Sequence, residues 1–581
     1  MNYLNSINAP QDLKKLSARQ LPELAAEIRQ TLIDKIAATG GHLGSNLGMV
    51  EATIALHYVF DSPQDKFVFD VSHQCYTHKI LTGRKDGFID PDHFGDYSGY
   101  TNPSESEHDV FTVGHTSTSL SLATGLAKAR DLKGGTGNVV AVIGDGSMSG
   151  GEAFEGLNNA AMLGSNMIIV FNDNEMSIAP NFGGMYQNFD LLRKTNGTAE
   201  CNFFKAFGFD YRYVADGSDV VSLVSAFREV KDIDHPVVVH IHTLKGKGIE
   251  WCEKDKEASH YGMPANLDMS MFSGESYDTL TGDYLLKKME DDPKIIAISP
   301  ATPGLTGFTP ENRKKAGKQF IDVGIAEEHA VAFASGLAKN GAKPVLMILS
   351  SFLQRTYDQL MQDLALNKSP ATILVFLAAL SPSDATHIGC FDIPMTGSIP
   401  NLVCLAPTTK EEYLAMLDWS IEQTDVPVMI RVPSAVIPAG KEVSFSKADL
   451  GKYQITETGS KVAILGFGSF FPLAGQVKEL LKQKAAIDAT VINPRIYSEL
   501  DKDTLERLKE AHRVVVTLED GVMEGGIGQK IAGYYGTSDM KVLNFGGWKE
   551  FNDRVSLDEQ YAKYHLTPEL IVEDIQRCME E

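Results

Sequence analysis

Two short polar runs carry the most specific chemistry in this chain: Gly144-Asp145-Gly146 and Asn172-Asp173-Asn174. Each follows an apolar stretch that reads as a buried strand, Val139–Ile143 before the first and Met167–Phe171 before the second. A helical stretch bearing Ala and Leu separates them. A strand–helix–strand unit of this kind brings Asp145 and Asn174 side by side at the carboxyl ends of neighbouring strands. A carboxylate and an amide oxygen there suit Mg2+, a hard cation that shares its oxygen ligands with phosphate. Gly144 and Gly146, with Ser147 next in line, let backbone N–H groups approach a diphosphate closely. The tripeptides alone also fit an ordinary strand–turn–helix in which Asp145 caps the helix.

The elements that must position these residues read as α/β throughout. Leu21, Leu24, Ala25, Ile28, Leu32 and Ile36 recur at helical spacing, and Gly40-Gly41 ends the pattern. Short apolar strands such as Phe67–Phe69 and Val237–Ile241 then alternate with helical stretches to about Asp268. A second alternation begins near Tyr277, with strands at 295–298, 345–348, 373–377, 402–405 and 428–430. A third starts near Lys461, with strands at 462–465 and 514–518. Polar, Gly-bearing stretches at 262–276 and 438–452 read as linkers. The expectation is three consecutive α/β domains with mainly parallel sheets, at 1–275, 276–450 and 451–581. Gly466-x-Gly468 and Gly525-Gly526-x-Gly528 lack a full dinucleotide fingerprint and read as structural turns.

Composition narrows the partners. A net charge of −23 over 581 residues disfavours nucleic acid and anionic membrane surfaces. An anionic ligand must therefore be held by a local basic or N–H-rich pocket. The six cysteines form no CxxC pair, so neither a zinc site nor a disulfide framework is expected, and reduced thiols in a cytoplasmic enzyme are the simplest reading. No secretory pattern opens the chain, and no apolar run approaches the length of a membrane span.

Longer strings then point together: Gly41-His42-Leu43-Gly44-Ser45-Asn46-Leu47-Gly48; Asp70-Val71-Ser72-His73-Gln74; His78-Lys79-Ile80-Leu81-Thr82-Gly83-Arg84; Gly114-His115-Thr116-Ser117-Thr118-Ser119; Asn172 to Ile178; Asp322 to Val331 around Glu327; and Phe352 to Gln359. In order and spacing, over nearly the whole chain, they resemble the 1-deoxy-D-xylulose-5-phosphate synthase family of transketolase-like thiamine diphosphate enzymes. The resemblance implies a diphosphate-binding first domain, an aminopyrimidine-binding second domain and a smaller third. It implies Mg2+ held by Asp145, Asn174 and the main chain of Met176. It implies that His73, Gly114, His115 and Thr116 meet the diphosphate, that Phe352 stacks on the pyrimidine, and that Ile178 supports the cofactor or is simply core. Glu327 becomes the acid that hydrogen-bonds the pyrimidine N1′, a task that needs a carboxyl in a largely apolar pocket. His42, His260 and His387 would shuttle protons near the reacting carbonyls. Arg355, Arg431 and Asp384 would serve the substrates, pyruvate and an aldehyde. A homodimer is also implied.

The sequence departs from the family's pattern in one region. Leu349 stands where the family has a phosphate-binding tyrosine, and Phe376 where it has an arginine. No Lys or Arg occurs between Lys368 and Lys410; Asp384 stands three residues before His387 where the family usually has four, so that either one residue is deleted or Ser383 takes the aspartate's place; and Arg431-Val432-Pro433-Ser434 lacks the family's usual second arginine. The acceptor is thus left open between D-glyceraldehyde 3-phosphate, giving 1-deoxy-D-xylulose 5-phosphate, and a less charged or unphosphorylated aldehyde. Transketolase-type ketol transfer is a further alternative, and a cofactor-binding protein without turnover is the most distant one. The stretch from Ala179 to Asn202 is shorter than the family's usual insertion, so any lid is reduced.

Overall fold

A computed structural model describes residues 2–267 and 274–580. The chain divides into two compact units, Met1–Ser273 with Gly324–Ala326, and Gly274–Val323 with Glu327–Glu581.

The first unit carries β1 (Gly41–His42), β2 (Lys66–Phe69), β3 (Val139–Gly144), β4 (Met167–Asp173), β5 (Asp210–Val214), β6 (Pro236–His242) and β7 (Tyr261–Gly262). Strands β2-β3-β4-β6-β5 form one sheet, parallel throughout. A parallel sheet covered on both sides needs strands apolar on both faces. Here Val140, Val142, Ile168 and Val170 pack on one side with the Leu21–Thr39 and Val50–Val59 helices. Ala141, Ile143, Ile169 and Phe171 pack on the other with the Ser119–Leu132 and Gly151–Ala160 helices. The first helix buries the six residues its spacing marks and stops at Gly40, whose φ is +76°. Residues 268–273 of the expected linker at 262–276 lie outside the described residues, and Gly262 at its start belongs to β7.

In the second unit the strands are β8 (Ile295–Ser299), β9 (Phe320–Asp322), β10 (Lys343–Leu349), β11 (Thr372–Phe376), β12 (Val403–Leu405), β13 (Val428–Arg431), β14 (Gln454–Glu457), β15 (Lys461–Gly466), β16 (Thr490–Asn493), β17 (His512–Val522) and β18 (Lys541–Gly547). They form a six-stranded parallel sheet, β12-β13-β11-β10-β8-β9, and a five-stranded sheet, β14-β16-β15-β17-β18, antiparallel only at its β14 edge. The glycines near 525 are structural in local geometry: Glu519 accepts from the Ile527 and Gly528 amides at 3.0 and 2.9 Å, filling that helix start with the chain's own carboxylate. A Cβ on Gly528 would lie 2.5 Å from Thr517 Oγ1. Among the described residues no helix is long and apolar enough to cross a membrane.

Candidate active site

In the first unit β3 and β4 pair with Gly144 opposite Asn172, so Asp145 and the Asn172-Asp173-Asn174 run share one edge of the sheet. The Asp145 amide donates to the Asn172 carbonyl at 3.0 Å. Asp145 is buried; its Oδ2 accepts from Asn181 Nδ2 at 2.7 Å, while its Oδ1 has no hydrogen-bond partner among the described residues. Burial first, and the Asp173 carboxylate second, push the Asp145 pKa up to about 8. Asp173 goes the other way. Burial opposes its charge, but His240 Nε2 at 2.9 Å and Arg193 Nη1 at 2.7 Å outweigh it and hold its pKa below the ordinary value. The Asn174 side-chain oxygen accepts from the Met176 amide at 3.1 Å, closing the turn that carries two of the three expected metal-binding residues.

Three expected histidines of this unit meet. The His42 ring centroid lies 4.9 Å from that of His73 and 5.5 Å from that of His260, and His73 and His260 are 5.3 Å apart. The cause is a two-residue antiparallel ladder that pairs His42 with Tyr261 and so sets His260 beside it. Burial, then Lys245, His73 and His42, hold the His260 pKa well below its usual value, so its imidazole is neutral. His73 follows a turn in which Val71 and Ser72 have φ of 58° and 63°, a conformation unfavourable for a β-branched residue and typical of site geometry. Gly114, His115 and Thr116 lie in the loop whose end is held by Asp70: its carboxylate accepts from the Ser117 and Ser119 amides at 2.8 and 3.0 Å. Gly146 is needed for space, since a Cβ there would sit 3.0 Å from Ser177, whereas beside Gly144 nothing lies within 4 Å. Ser147 and Ile178 flank this edge in sequence, Ser147 accepting from Ser117 Oγ through its carbonyl at 2.8 Å.

Four residues of this site were not singled out for a role by sequence. Asn46 donates to the carbonyls of both His42 and His73 at 2.7 Å, and Asp70 anchors the next loop; both sit inside the matched strings, which was the available signal. Lys245 is buried, donates to the Ser177 carbonyl at 2.7 Å, and has its pKa lowered to about 8 by burial; its place in the Lys245-Gly246-Lys247-Gly248 run was the available signal. Asn181 had no signal, because it lies in the connection read as a reduced lid. That connection is more than a spacer. It contains the Met185–Lys194 helix, which buries Phe189 and Leu192 and sends Arg193 to Asp173.

In the second unit Glu327 opens the Glu327–Lys339 helix and is 2% exposed. Its Oε2 has no hydrogen-bond partner among the described residues, and Arg355 Nη1 lies 3.7 Å away. Burial raises its pKa to about 7 against the pull of Arg355. Phe352 and His387 come together edge to face, centroids 5.9 Å apart. Asp384 Oδ1 lies 3.3 Å from His387 Nδ1 and accepts from the Thr386 amide at 2.9 Å; although burial opposes its charge, these contacts bring its pKa down to about 2. The short Asp-to-His spacing therefore still lets the acid reach the imidazole. Arg431, expected to hold a substrate's anionic end, is buried and committed elsewhere: its Nε donates to Asp392 at 2.7 Å and its Nη1 pairs with Asp520. Leu349 and Phe376 are direct register partners at the ends of β10 and β11, both buried.

The donor set fits the expected groups. A buried carboxylate with one oxygen unused, joined by an amide oxygen and open space beside a glycine, suits a divalent cation and a diphosphate. A buried carboxyl that keeps its proton to about neutral pH suits hydrogen bonding to a ring nitrogen.

Comparison with known proteins agrees along the chain. The family model for 1-deoxy-D-xylulose-5-phosphate synthase matches residues 4–202 and 194–243, that for the transketolase pyrimidine-binding domain matches 275–438, and that for the transketolase C-terminal domain matches 451–571. A 1-deoxy-D-xylulose-5-phosphate synthase of Symbiobacterium thermophilum is 38% identical over 98% of this chain and 93% of its own. The chain belongs to the 1-deoxy-D-xylulose-5-phosphate synthase family. A second relative, 1-deoxy-D-xylulose-5-phosphate synthase 1 of Geobacter sulfurreducens, is 40% identical over 91% of this chain and 89% of its own. Among solved structures, transketolase from Campylobacter jejuni is similar at 16% identity and a TM-score of 0.43, covering 97% of this chain and all of the other. Membership in the synthase family agrees with the transketolase-like α/β architecture read from the sequence.

Proposed function

We propose that the protein is a thiamine diphosphate- and Mg2+-dependent transferase that decarboxylates pyruvate and joins the remaining two carbons to D-glyceraldehyde 3-phosphate, giving 1-deoxy-D-xylulose 5-phosphate. The observation that carries this reading is a pair of buried carboxyls, Asp145 and Glu327, each with one oxygen that accepts no hydrogen bond from a described residue. When bound, thiamine diphosphate supplies a carbon nucleophile and an electron sink, which lets pyruvate lose CO2 and its other carbons add to an aldehyde. Asp145, Asn174 and the Met176 main chain hold Mg2+. His73, the Gly114-His115-Thr116 loop, Gly144, Gly146 and Ser147 receive the diphosphate, with Lys245 as a further cation on the same edge. Glu327 holds a proton on its carboxyl for a cofactor ring nitrogen, and Phe352 gives that ring an aromatic face. His42, His260 and His387, the last held by Asp384, move protons at substrate oxygens. Arg355 rather than Arg431 serves the substrate's anionic end, because the Arg431 charge is already met by two carboxylates.

The reading includes three domains at 1–275, 276–450 and 451–581, supported by one large, mainly parallel sheet in each stretch. It also includes a homodimer and a cytoplasmic location, supported by the family and by the acidic composition. The test is release of CO2 from carboxyl-labelled pyruvate by the purified protein with cofactor and Mg2+, with the product identified by mass. Release that depends on cofactor and acceptor is expected; no release with any aldehyde tried would overturn the reading.

One observation favours a second acceptor. The Leu349–Phe376 pair makes the ends of β10 and β11 apolar where the family places phosphate-binding side chains. Losing one charge-assisted phosphate contact costs about 1.5–3 kcal/mol, or about ten- to a hundredfold in affinity. An unphosphorylated aldehyde turned over faster than glyceraldehyde 3-phosphate would select this second reading.

A further inference from the structure

The string His78-Lys79-Ile80-Leu81-Thr82-Gly83-Arg84 takes no part in the chemistry described so far, yet its ionisable side chains are among the most deeply buried in the first unit. His78, Lys79 and Arg84 have side chains 1, 0 and 3% exposed. The acids they pair with come from a single irregular stretch. Arg84 donates to Asp109 through Nη1 at 2.7 Å and Nη2 at 2.9 Å, and His78 Nε2 lies 2.8 Å from the same carboxylate. Lys79 pairs with Glu105, and Arg84 Nη1 reaches Glu105 at 3.2 Å. Both acids also accept from the stretch's own backbone, Asp109 from the Asn102 amide at 2.7 Å and Glu105 from the Ser98 amide at 2.8 Å. His57 completes the chain, its Nε2 lying 2.9 Å from His78 Nδ1.

Residues 94–118 contain no helix or strand, and a stretch of that length inside a compact unit usually serves a site. Two of its contacts point to the histidine cluster. The Tyr100 ring stands edge-on to His42 with centroids 5.8 Å apart. The Thr101 amide donates to Ser72 Oγ at 2.9 Å, and that hydroxyl donates to the Val113 carbonyl at 2.7 Å, bracing the positive-φ turn before His73. Buried ion pairs contribute little net stability compared with apolar packing of the same volume, but removing one partner leaves an uncompensated buried charge.

We propose that the His78–Lys79–Arg84 cluster and its two acids, Glu105 and Asp109, form a positioning device that holds the 98–113 stretch so that Tyr100 orients the imidazole of His42. Tyr100 and the cluster are positioning residues, acting through His42. The proposal rests on the proton-handling role given to His42 above, but its geometric content stands apart from turnover.

The test measures carbethoxylation of His42 by diethylpyrocarbonate in the full-length protein, followed by peptide mass spectrometry, with kcat for pyruvate measured in parallel. Tyr100→Ala and Arg84→Lys should each speed His42 labelling about tenfold, and Tyr100→Phe, which keeps the ring, should leave it within about twofold. Because both changes act on one link, the double variant should label no faster than the faster single variant, and kcat should fall in the same non-additive way. Asp109→Asn replaces Arg84→Lys should the latter not fold. Wild-type labelling in Tyr100→Ala, or multiplication of the two effects in the double variant, overturns the proposal. Absence of pyruvate turnover in the wild-type protein would instead count against the proposed function and leave the labelling comparison intact.

Discussion

The carboxyl edges of the two large parallel sheets each present a buried acid whose pKa lies far above the ordinary range, and the two acids are tuned by different neighbours. Asp145 reaches about 8 because it is buried and a second carboxylate, Asp173, stands close, while Asn181 satisfies only one of its oxygens. Glu327 reaches about 7 through burial against the opposing pull of a cation, Arg355 at 3.7 Å. The first arrangement concentrates negative charge that a divalent cation relieves. The second holds a single proton that a neutral ring nitrogen can share. The supports differ as well. Behind Asp145 lies a buried chain from Arg193 and His240 to Tyr211, whose hydroxyl is 2.7 Å from His240 Nδ1. The other sheet ends in Leu349, Phe376 and an arginine neutralised by Asp392 and Asp520. One edge gathers carboxylates and amides around a glycine turn, and the other ends in apolar side chains beside a buried, protonated acid.

Removing the Glu327 acid should have the largest effect. Glu327→Gln should lower kcat by about a thousandfold with the fold intact by circular dichroism, since a general acid contributes about 10²–10⁴. The same variant carries a stability signature. The folded-state pKa is raised, so the folded chain binds more protons than the unfolded one between about pH 4.5 and 7, and stability from this group falls as pH rises through that window. The thermal midpoint of Glu327→Gln should therefore drop less than that of the wild type between about pH 5 and about pH 8. A wild-type rate, or an unchanged pH slope, would break the contrast drawn between the two acids.

Asp145→Asn tests the other edge. It should weaken the binding of thiamine diphosphate with Mg2+ about ten- to a hundredfold by calorimetry, while Glu327→Gln changes that binding far less. Equal losses in both variants would mean that the two acids do not divide the work as described. Phe376→Arg should have the smallest effect, raising the ratio of kcat/KM for glyceraldehyde 3-phosphate over glyceraldehyde by about tenfold. No change in that ratio would remove the apolar strand ends from the account of acceptor choice.

Much of this molecule is legible in its amino-acid sequence. The strand ends carrying Asp145 and Asn174, the first helix and the parallel character of the sheets follow from apolar runs of strand or helix period, which local sequence encodes directly. The strings around His42, His73 and Glu327 were legible because each is a contiguous run of specific residues. What the sequence left open involves partners distant along the chain. Arg431 looked available for a substrate because nothing nearby in sequence neutralises it; Asp520, 89 positions away, does so through the fold. Asn181 looked like part of a connector until its amide reached Asp145, 36 positions back.

By itself, then, the sequence determined the α/β class, the order of the elements, and the polar runs around Asp145, Asn174 and Glu327, since residue type and short spacing suffice for those. Only the tertiary structure decided that His42, His73 and His260 form one cluster, that Leu349 faces Phe376, and which arginine is already spent. Those facts depend on strand register and on buried charge pairing, which bring together residues that no local pattern connects.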